Sequence, residues 1–120
     1  MSVHANGFVR VAGAVPVVAL ADPATNTART IELAGAWTRG VQAVLDDVGL
    51  DWCVQQLGCR AEYWFCPPPR NGRDAAAAAD PDLDAYLHLH ALNRGVLMTP
   101  FHNMALIAPV HTGADVDRHT

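Results

Sequence analysis

The chain has 120 residues and contains no lysine, since all eight of its basic residues are arginine. Chemistry that needs a lysine amine therefore cannot be carried out by this chain alone. The arginines are scattered and the formal net charge is −4, which argues against the clustered basic surface of a nucleic-acid-binding protein. The apolar runs are all shorter than the roughly 20 residues that span a bilayer, so we expect no membrane segment.

Cysteine is also scarce. Cys53, Cys59 and Cys66 make an odd count, and no two of them have the spacing of a CxxC pair. This pattern disfavours a structural zinc site. An odd number of widely spaced cysteines fits reduced thiols, so we expect a cytoplasmic protein.

The histidines suggest a metal site only at first sight. Five of the six lie in the last third of the chain, and four of these invite a metal interpretation: His88, His90, His102 and His111. His88 and His90 are two residues apart on a predicted helix and therefore point to nearly opposite sides of it. We expect structural histidines and no metal ligands.

Residues 1–21 form an uncertain N-terminal segment. The stretch from Phe8 to Val11 could be a strand, and the apolar run from Val11 to Ala21 has the outline of a secretory signal. A single basic residue, Arg10, precedes that run and Pro16 interrupts it. Both features disfavour the signal interpretation.

Residues 22–120 are predicted to form one domain, because half of the whole chain is hydrophobic and only 17% is charged. Asp22-Pro23 is typical of a helix start, with aspartate as the cap and proline at the first helical position, and Thr27 or Thr30 is an alternative start. Gly49 is the expected end of this helix. Its apolar residues recur at steps of three and four on one face: Ile31, Ala34, Trp37, Val41, Val44, Leu45 and Val48.

Two strands are predicted next, from Trp52 to Leu57 and from Arg60 to Cys66. The tight connection at Gly58-Cys59 indicates either a hairpin or a bulge within one bent strand. The prolines that follow, from Pro67 to Pro69, cannot continue a central strand and indicate a loop. The alanine run 75–79 is expected to be loop or a weak helical lead-in.

The last third of the chain carries the clearest signals. Asp80-Pro81 predicts a second helix that ends at Gly95, with one mainly apolar face: Leu83, Tyr86, Leu87, His90 and Ala91. Two short strands are predicted at 96–99 and 104–108. Thr112 then opens a third helix with a capping pattern. Because this helix has so little length before Thr120, we expect the sequence to be truncated at its C-terminus.

This order of elements predicts an α+β fold. We expect a two-layer small domain with a largely antiparallel sheet of three or four strands and helices on one face.

This part of the chain, residues 22–120, contains a stretch that resembles the C-terminal small domain of class III pyridoxal-phosphate-dependent aminotransferases, in particular enzymes like glutamate-1-semialdehyde aminomutase. The resemblance covers roughly residues 30–120 and is specific in the last forty. The residues that carry it are Tyr86, His88 to Val96, Thr99-Pro100, His111-Thr112 and Asp115 to Asp117.

The resemblance implies that the functions of the parent enzyme are shared between two domains. In that family a large domain supplies the lysine of the Schiff base and most of the contacts to pyridoxal phosphate. This chain would then be the small-domain part of a transaminase or aminomutase that acts on a small amino acid or amino-aldehyde. The parent enzyme would be a homodimer with pyridoxal phosphate as cofactor. The chain alone would have no catalytic residue and no activity.

The resemblance also implies where a substrate would be contacted. Thr99, His102 and Asn103 lie on the turn after a predicted strand, where they could reach the substrate, although a solvated loop remains open as an alternative. Arg60 could bind a carboxylate through its bidentate fork, or be an edge-strand surface residue. After Pro100 the chain lacks the carboxylate of the aminomutase pattern, and the strand at 104–108 lacks the arginine of other members, which leaves the substrate open.

A second hypothesis comes from a different class of function. The chain could be a stand-alone α+β binding module that dimerises through the apolar face that a large domain would otherwise cover.

Overall fold

The structure, a computed structural model, describes residues 18–99 and 103–120. The possible strand from Phe8 to Val11 lies outside the described residues. The elements are α1 (Pro23–Asp47), β1 (Cys53–Leu57), β2 (Arg60–Trp64), α2 (Gly72–Ala77), α3 (Pro81–Leu92), β3 (Met104–Leu106) and α4 (Gly113–His119). The predicted α+β class with an antiparallel sheet is confirmed.

The ends of α1 follow the local sequence signals. Asp22 caps the first turn through its side chain and Pro23 is the first helical residue, as predicted. At the other end Gly49 has a φ of +71°, and the Leu50 N–H donates to the Leu45 carbonyl over 3.0 Å. This closure satisfies carbonyls that the last turn would leave open, and glycine adopts the required left-handed φ at low cost.

Only part of the predicted apolar face of α1 is covered. The buried residues of this helix are Thr30, Ala34, Trp37, Val41 and Leu45. Val44 and Val48, which the spacing places on the same side, remain 46% and 60% exposed. The covered part is therefore a narrower stripe than the predicted face, and it runs as far as Leu45 near the end of the helix.

The strands β1 and β2 form a hairpin, which resolves the alternative left open by the sequence. Leu57 pairs with Arg60 across a two-residue turn. Gly58, the first turn residue, has a φ of +61°, as a type II′ turn requires at that position. The strands β2 and β3 pair antiparallel, so that β2 is the central strand.

The two faces of the sheet have different environments. Ala61 and its register partner Ala105 belong to the buried core together with Trp37 and Val41 of α1. The neighbouring residues along β2 point to the opposite face because side chains alternate along a strand. We call that opposite side the outer face.

The predicted strand at 96–99 is wrong. These residues have no strand conformation, because the Val96 N–H closes the end of α3 by donating to the Ala91 carbonyl over 3.0 Å. Gly95, with a φ of +80°, makes this turn possible and confirms the predicted end of the helix. The sheet of the described residues therefore has three strands, and β3 ends at Leu106 instead of residue 108.

Two further predictions need adjustment. The alanine run contributes to a short helix, α2, whose first turn is capped by Asn71. The predicted apolar face of α3 is not buried, since this helix has no buried residue and Tyr86 is 61% exposed. The apolar face of α3 is only partly covered, because no further described element lies over it.

The last helix completes the core. Thr112 and Asp115 form the predicted capping box, with the Thr112 N–H 2.8 Å from Asp115 Oδ2. Val116 is buried in the same cluster as Trp37. The Trp37 Nε1–H donates to His119 Nδ1 over 2.9 Å, which joins α1 to α4. None of the described helices combines the length and apolar character that crossing a membrane needs.

The contact of α1 with the chain end gives a first prediction. A Cβ atom on Gly40 would lie 2.6 Å from Thr120 Cγ2, whereas a Cβ on Gly35 would meet only the side-chain ends of Arg39 and Gln56, at 3.2 and 3.4 Å. We expect Gly35→Ala to raise the free energy of unfolding by up to about 1 kcal/mol through helix propensity. Overpacking should make Gly40→Ala less stable than Gly35→Ala by about 1 kcal/mol or more.

Chemical denaturation of the three chains measures the difference. Shortening the residue at position 120, in the double variant Gly40→Ala/Thr120→Gly, should recover the missing stability. Equal stabilisation by both alanines would contradict the close approach of α1 and Thr120.

The Trp37–His119 contact predicts a pH dependence of stability. Burial lowers the pKa of His119 from its ordinary value of 6.5, and its Nδ1 can accept from Trp37 only when it is unprotonated. The unfolded chain therefore binds the proton more readily. Stability should be fully present above pH 6.5 and should fall as the pH drops below it, levelling off below the pKa of the folded state.

Thermal unfolding between about pH 5 and 8 checks this dependence. His119→Gln should flatten the profile, while His90→Gln, at an exposed position of α3, should leave the slope unchanged. A profile of His119→Gln that is as steep as that of the unchanged chain would rule out the assignment.

Candidate functional site

The predicted substrate turn lies at the edge of the sheet. Its two ends meet, because the Thr99 N–H donates to the Met104 carbonyl over 3.4 Å. Next to this bond, the Asn103 carbonyl accepts from the Tyr63 N–H over 3.1 Å. Thr99 and Asn103 are thus held close to β2. His102, the third residue predicted on this turn, lies outside the described residues.

The side chain of Asn103 fixes the turn to α3. Its Nδ2 donates to Oδ1 of Asp84 in the first turn of that helix. Burial raises the pKa of the nearby Tyr63 to about 12, with a smaller contribution from the Asp84 carboxylate. The phenol therefore stays protonated at neutral pH and can only donate or accept a hydrogen bond as a neutral group.

Arg60 has a partner that sequence reasoning did not identify. One of its terminal nitrogens lies 2.6 Å from Glu62 Oε2, and the two side chains are 46% and 10% exposed. Glu62 pairs in register with Met104 and Arg60 with Leu106. The carboxylate therefore stands between Arg60 and the Asn103 end of the turn. An acidic residue in the middle of the apolar second strand was the available signal for it.

The outer face carries an open, polar hollow of about 510 Å³. Its lining consists of Gln55, Gln56, Leu57, Arg60, Glu62 and Trp64. The indole N–H of Trp64 is buried and has no hydrogen-bond partner among the described residues. The hollow thus offers a guanidinium, a carboxylate and amides, which together suit a small ligand that bears both charges.

The thiol of Cys53 is not activated for nucleophilic chemistry. Cys53 is buried, and burial followed by the proximity of Cys66 raises the pKa of its thiol above the ordinary value of 9.0. A thiol with a raised pKa stays protonated at neutral pH, and the thiolate is the reactive form. Within the described ranges, no group of three or more histidine, cysteine or acidic side chains could hold a metal ion.

The structure brings together only part of the predicted site. Thr99 and Asn103 are neighbours at one end of β3, while Arg60 lies toward the other end of that strand and is held by Glu62. The arrangement can recognise a charged small molecule. It contains no described group that is set up to transfer a proton or to form a covalent bond with a substrate.

Comparison with solved structures gives two relatives at 43% sequence identity. Both are glutamate-1-semialdehyde aminomutase from Pseudomonas aeruginosa, in one case in complex with PMP, and both match with a TM-score of 0.78 over 80% of this chain. A β-phenylalanine aminotransferase from Variovorax paradoxus matches with a TM-score of 0.62 at 23% identity over 79% of this chain, which shows the fold alone. The chain spans only 21% of the length of each of these proteins.

Neither a protein-family model nor a curated protein matches the chain. The solved structures nevertheless confirm the resemblance inferred from the sequence, because both the fold and the sequence of this chain are similar to one part of an aminomutase.

The anchoring of the turn can be tested by a double-mutant cycle. Asn103→Ala and Asp84→Ala each remove one partner of the side-chain bond between the turn and α3. We expect a coupling energy of about 1 kcal/mol in the free energy of unfolding, the usual size for a hydrogen bond of this kind. Asn93→Ala at the end of α3, combined with Asp84→Ala, provides the matched control and should show no coupling. Strict additivity of the Asn103 and Asp84 changes would exclude the bond.

Proposed function

We propose, from the confirmed resemblance of this chain to part of the pyridoxal-phosphate-dependent aminotransferases and aminomutases, that it is the small domain of such a class III enzyme. The observation that carries the proposal is the 43% identity to a glutamate-1-semialdehyde aminomutase over 80% of the chain, together with a shared fold. The match to one-fifth of that protein supports the role of a domain, with the remainder supplied by a large partner domain.

The residues of this chain do not fit pyridoxal phosphate as a covalent site, because the chain has no lysine. In the parent enzyme the bound cofactor supplies an electron sink for proton removal next to the amino group. Both the attachment of the cofactor and the movement of that proton fall to the large domain. The chain alone is therefore inactive.

The contribution of the small domain is recognition of the substrate. The open hollow on the outer face pairs a guanidinium and a carboxylate 2.6 Å apart. A substrate that carries a carboxylate and an ammonium group can replace this ion pair by binding each charge to its opposite. Arg60 takes the substrate carboxylate as a bidentate partner, and Glu62 faces the amino group. A small amino acid or amino-aldehyde acid meets this requirement.

The turn closes the site at its other end. Asn103 is held to the central strand by the bond from the Tyr63 N–H, and Thr99 is held to β3 by its bond to the Met104 carbonyl, so both residues move with the sheet when the domain moves. The small domain then closes over the substrate and excludes water, while the Thr99 hydroxyl and the second N–H of Asn103 Nδ2 donate to it.

A chimera tests the function. The matching fifth of the P. aeruginosa aminomutase is replaced by the matching residues of this chain, and turnover of glutamate-1-semialdehyde and PMP content are measured. We expect the chimera to bind PMP and to retain activity, whereas the enzyme without that fifth should have none. In the chimera, Arg60→Gln should raise KM about tenfold with little change in kcat, the effect of losing a charge-assisted contact.

Arg73→Gln, which removes an exposed arginine of α2, is the matched control and should leave KM unchanged. A chimera that folds and binds PMP but turns over no amino substrate would contradict the proposed function. An unchanged KM in Arg60→Gln would contradict only the role of Arg60.

The stand-alone module is the second candidate, favoured by the apolar side chains that α3 leaves exposed, Tyr86, Leu89 and Leu92. Sedimentation of the chain with and without the large part of the aminomutase separates the two. A tight homodimer that does not exchange with the large part would support the module.

A further inference from the structure

A cavity of about 310 Å³ lies on the helical side of the sheet, between the second half of α1, α3 and the end of α4. Its volume falls at the lower end of the roughly 300–1,000 Å³ that is usual for small-molecule sites. None of the described residues predicted to contact substrate, Thr99, Asn103 and Arg60, lines it. The cavity is therefore separate from the substrate site of the proposed function.

The walls of this cavity are apolar and aromatic. Val41 and Leu45 of α1 form one side, and Leu87 of α3 forms the other. Trp52 and Tyr63 close the cavity toward the sheet. Burial of an apolar body against such walls is favourable by about 25 cal/mol per Å² of surface removed from water, and aromatic rings add contact area on flat surfaces.

The rim of the cavity is cationic. Arg94 and Arg118 both line it, and no aspartate or glutamate does. Neither arginine forms a salt bridge with a described residue. The terminal Nη1 of Arg94 donates to the His90 carbonyl over 3.3 Å, which leaves its remaining donors free of described partners.

Two acidic groups of the neighbouring helices have hydrogen-bond partners of their own, and one of them, Asp115, also interacts electrostatically with Arg118. Asp115, on the same helix as Arg118, accepts from the N–H and hydroxyl of Thr112, and Asp84 accepts from Asn103. His119 also lines the cavity and accepts from Trp37 at Nδ1. Its ring is therefore neutral with the proton on Nε2, which adds a donor and no negative charge.

We propose that this cavity binds a small organic anion with one carboxylate and an aromatic or branched aliphatic body. The body lies between α1 and α3 against Trp52 and Tyr63, and the carboxylate lies at the rim between Arg94 and Arg118. Guanidinium groups pair with carboxylates in a bidentate way. The apolar walls select for the body and the two arginines select for the charge.

Titration with 2-naphthoate, with the neutral 2-naphthalenemethanol as a charge control, tests the site in the full chain by calorimetry and NMR. We expect naphthoate to bind and to shift the indole N–H signal of Trp52 but not that of Trp64, which lies on the outer face. The alcohol should bind at least about tenfold more weakly, since a charge-assisted hydrogen bond is lost.

Matched variants separate the cavity from the rest of the surface. Arg94→Gln/Arg118→Gln should weaken naphthoate binding at least about tenfold, whereas Arg39→Gln/Arg73→Gln removes the same charge elsewhere and should change it less than about twofold. Ala91→Phe fills the cavity and should abolish binding, while Ala85→Phe on the exposed side of α3 should not. Thermal unfolding confirms that each variant is folded.

Three results would overturn the proposal. The first is an absence of naphthoate binding to the unchanged chain at millimolar concentration. The second is equal binding of the alcohol, and the third is equal weakening by the cavity and control arginine pairs. Because every measurement uses binding, none of these results depends on catalytic activity or on the role proposed for the outer face.

Discussion

Trp37 is the residue on which the rest of the structure depends. It is only 2% exposed, lies within the core cluster, and its ring stacks 6.2 Å from that of Tyr63 on β2. Its indole N–H binds His119 on α4. One side chain therefore links the long first helix, the central strand and the last helix. A buried aromatic group contributes both large apolar contact and, through the indole N–H, a directional bond.

The parts of the fold that the sequence predicted are those governed by local chemistry. The cap at Asp22, the turn at Gly58 and the left-handed glycine at Gly95 each depend on a few neighbouring residues, and each lies where expected. The strand at 96–99 was wrong because its first N–H serves the end of the preceding helix, a competition that apolar spacing does not reveal. The exposure of Val44 depends on which element covers α1, which is also beyond a local pattern.

The site also has parts that depend on neighbouring residues and parts that depend on the folded chain. Thr99 and Asn103 were predicted to act together, and they are neighbours because the Thr99 N–H donates to the carbonyl of Met104, the residue after Asn103. The pairing of Arg60 with Glu62 depends on strand boundaries and side-chain direction. Candidate residues chosen one at a time from the sequence carry no information about either. The cationic cavity was not predicted, since Arg94, Arg118 and Trp52 come from separate segments that meet only in the folded chain.

The bond between Trp37 and His119 joins residues that are 82 positions apart, and this separation affects the order of folding. The hairpin of β1 and β2 closes across two residues, so it can form early and quickly. The contact of α1 with α4 must wait for closure of a loop of 82 residues, which carries a larger entropic cost. During synthesis, the hairpin can cover Trp37 on its Tyr63 side, but the side that α4 covers stays open until His119 has left the ribosome, and a chaperone has that interval in which to bind it.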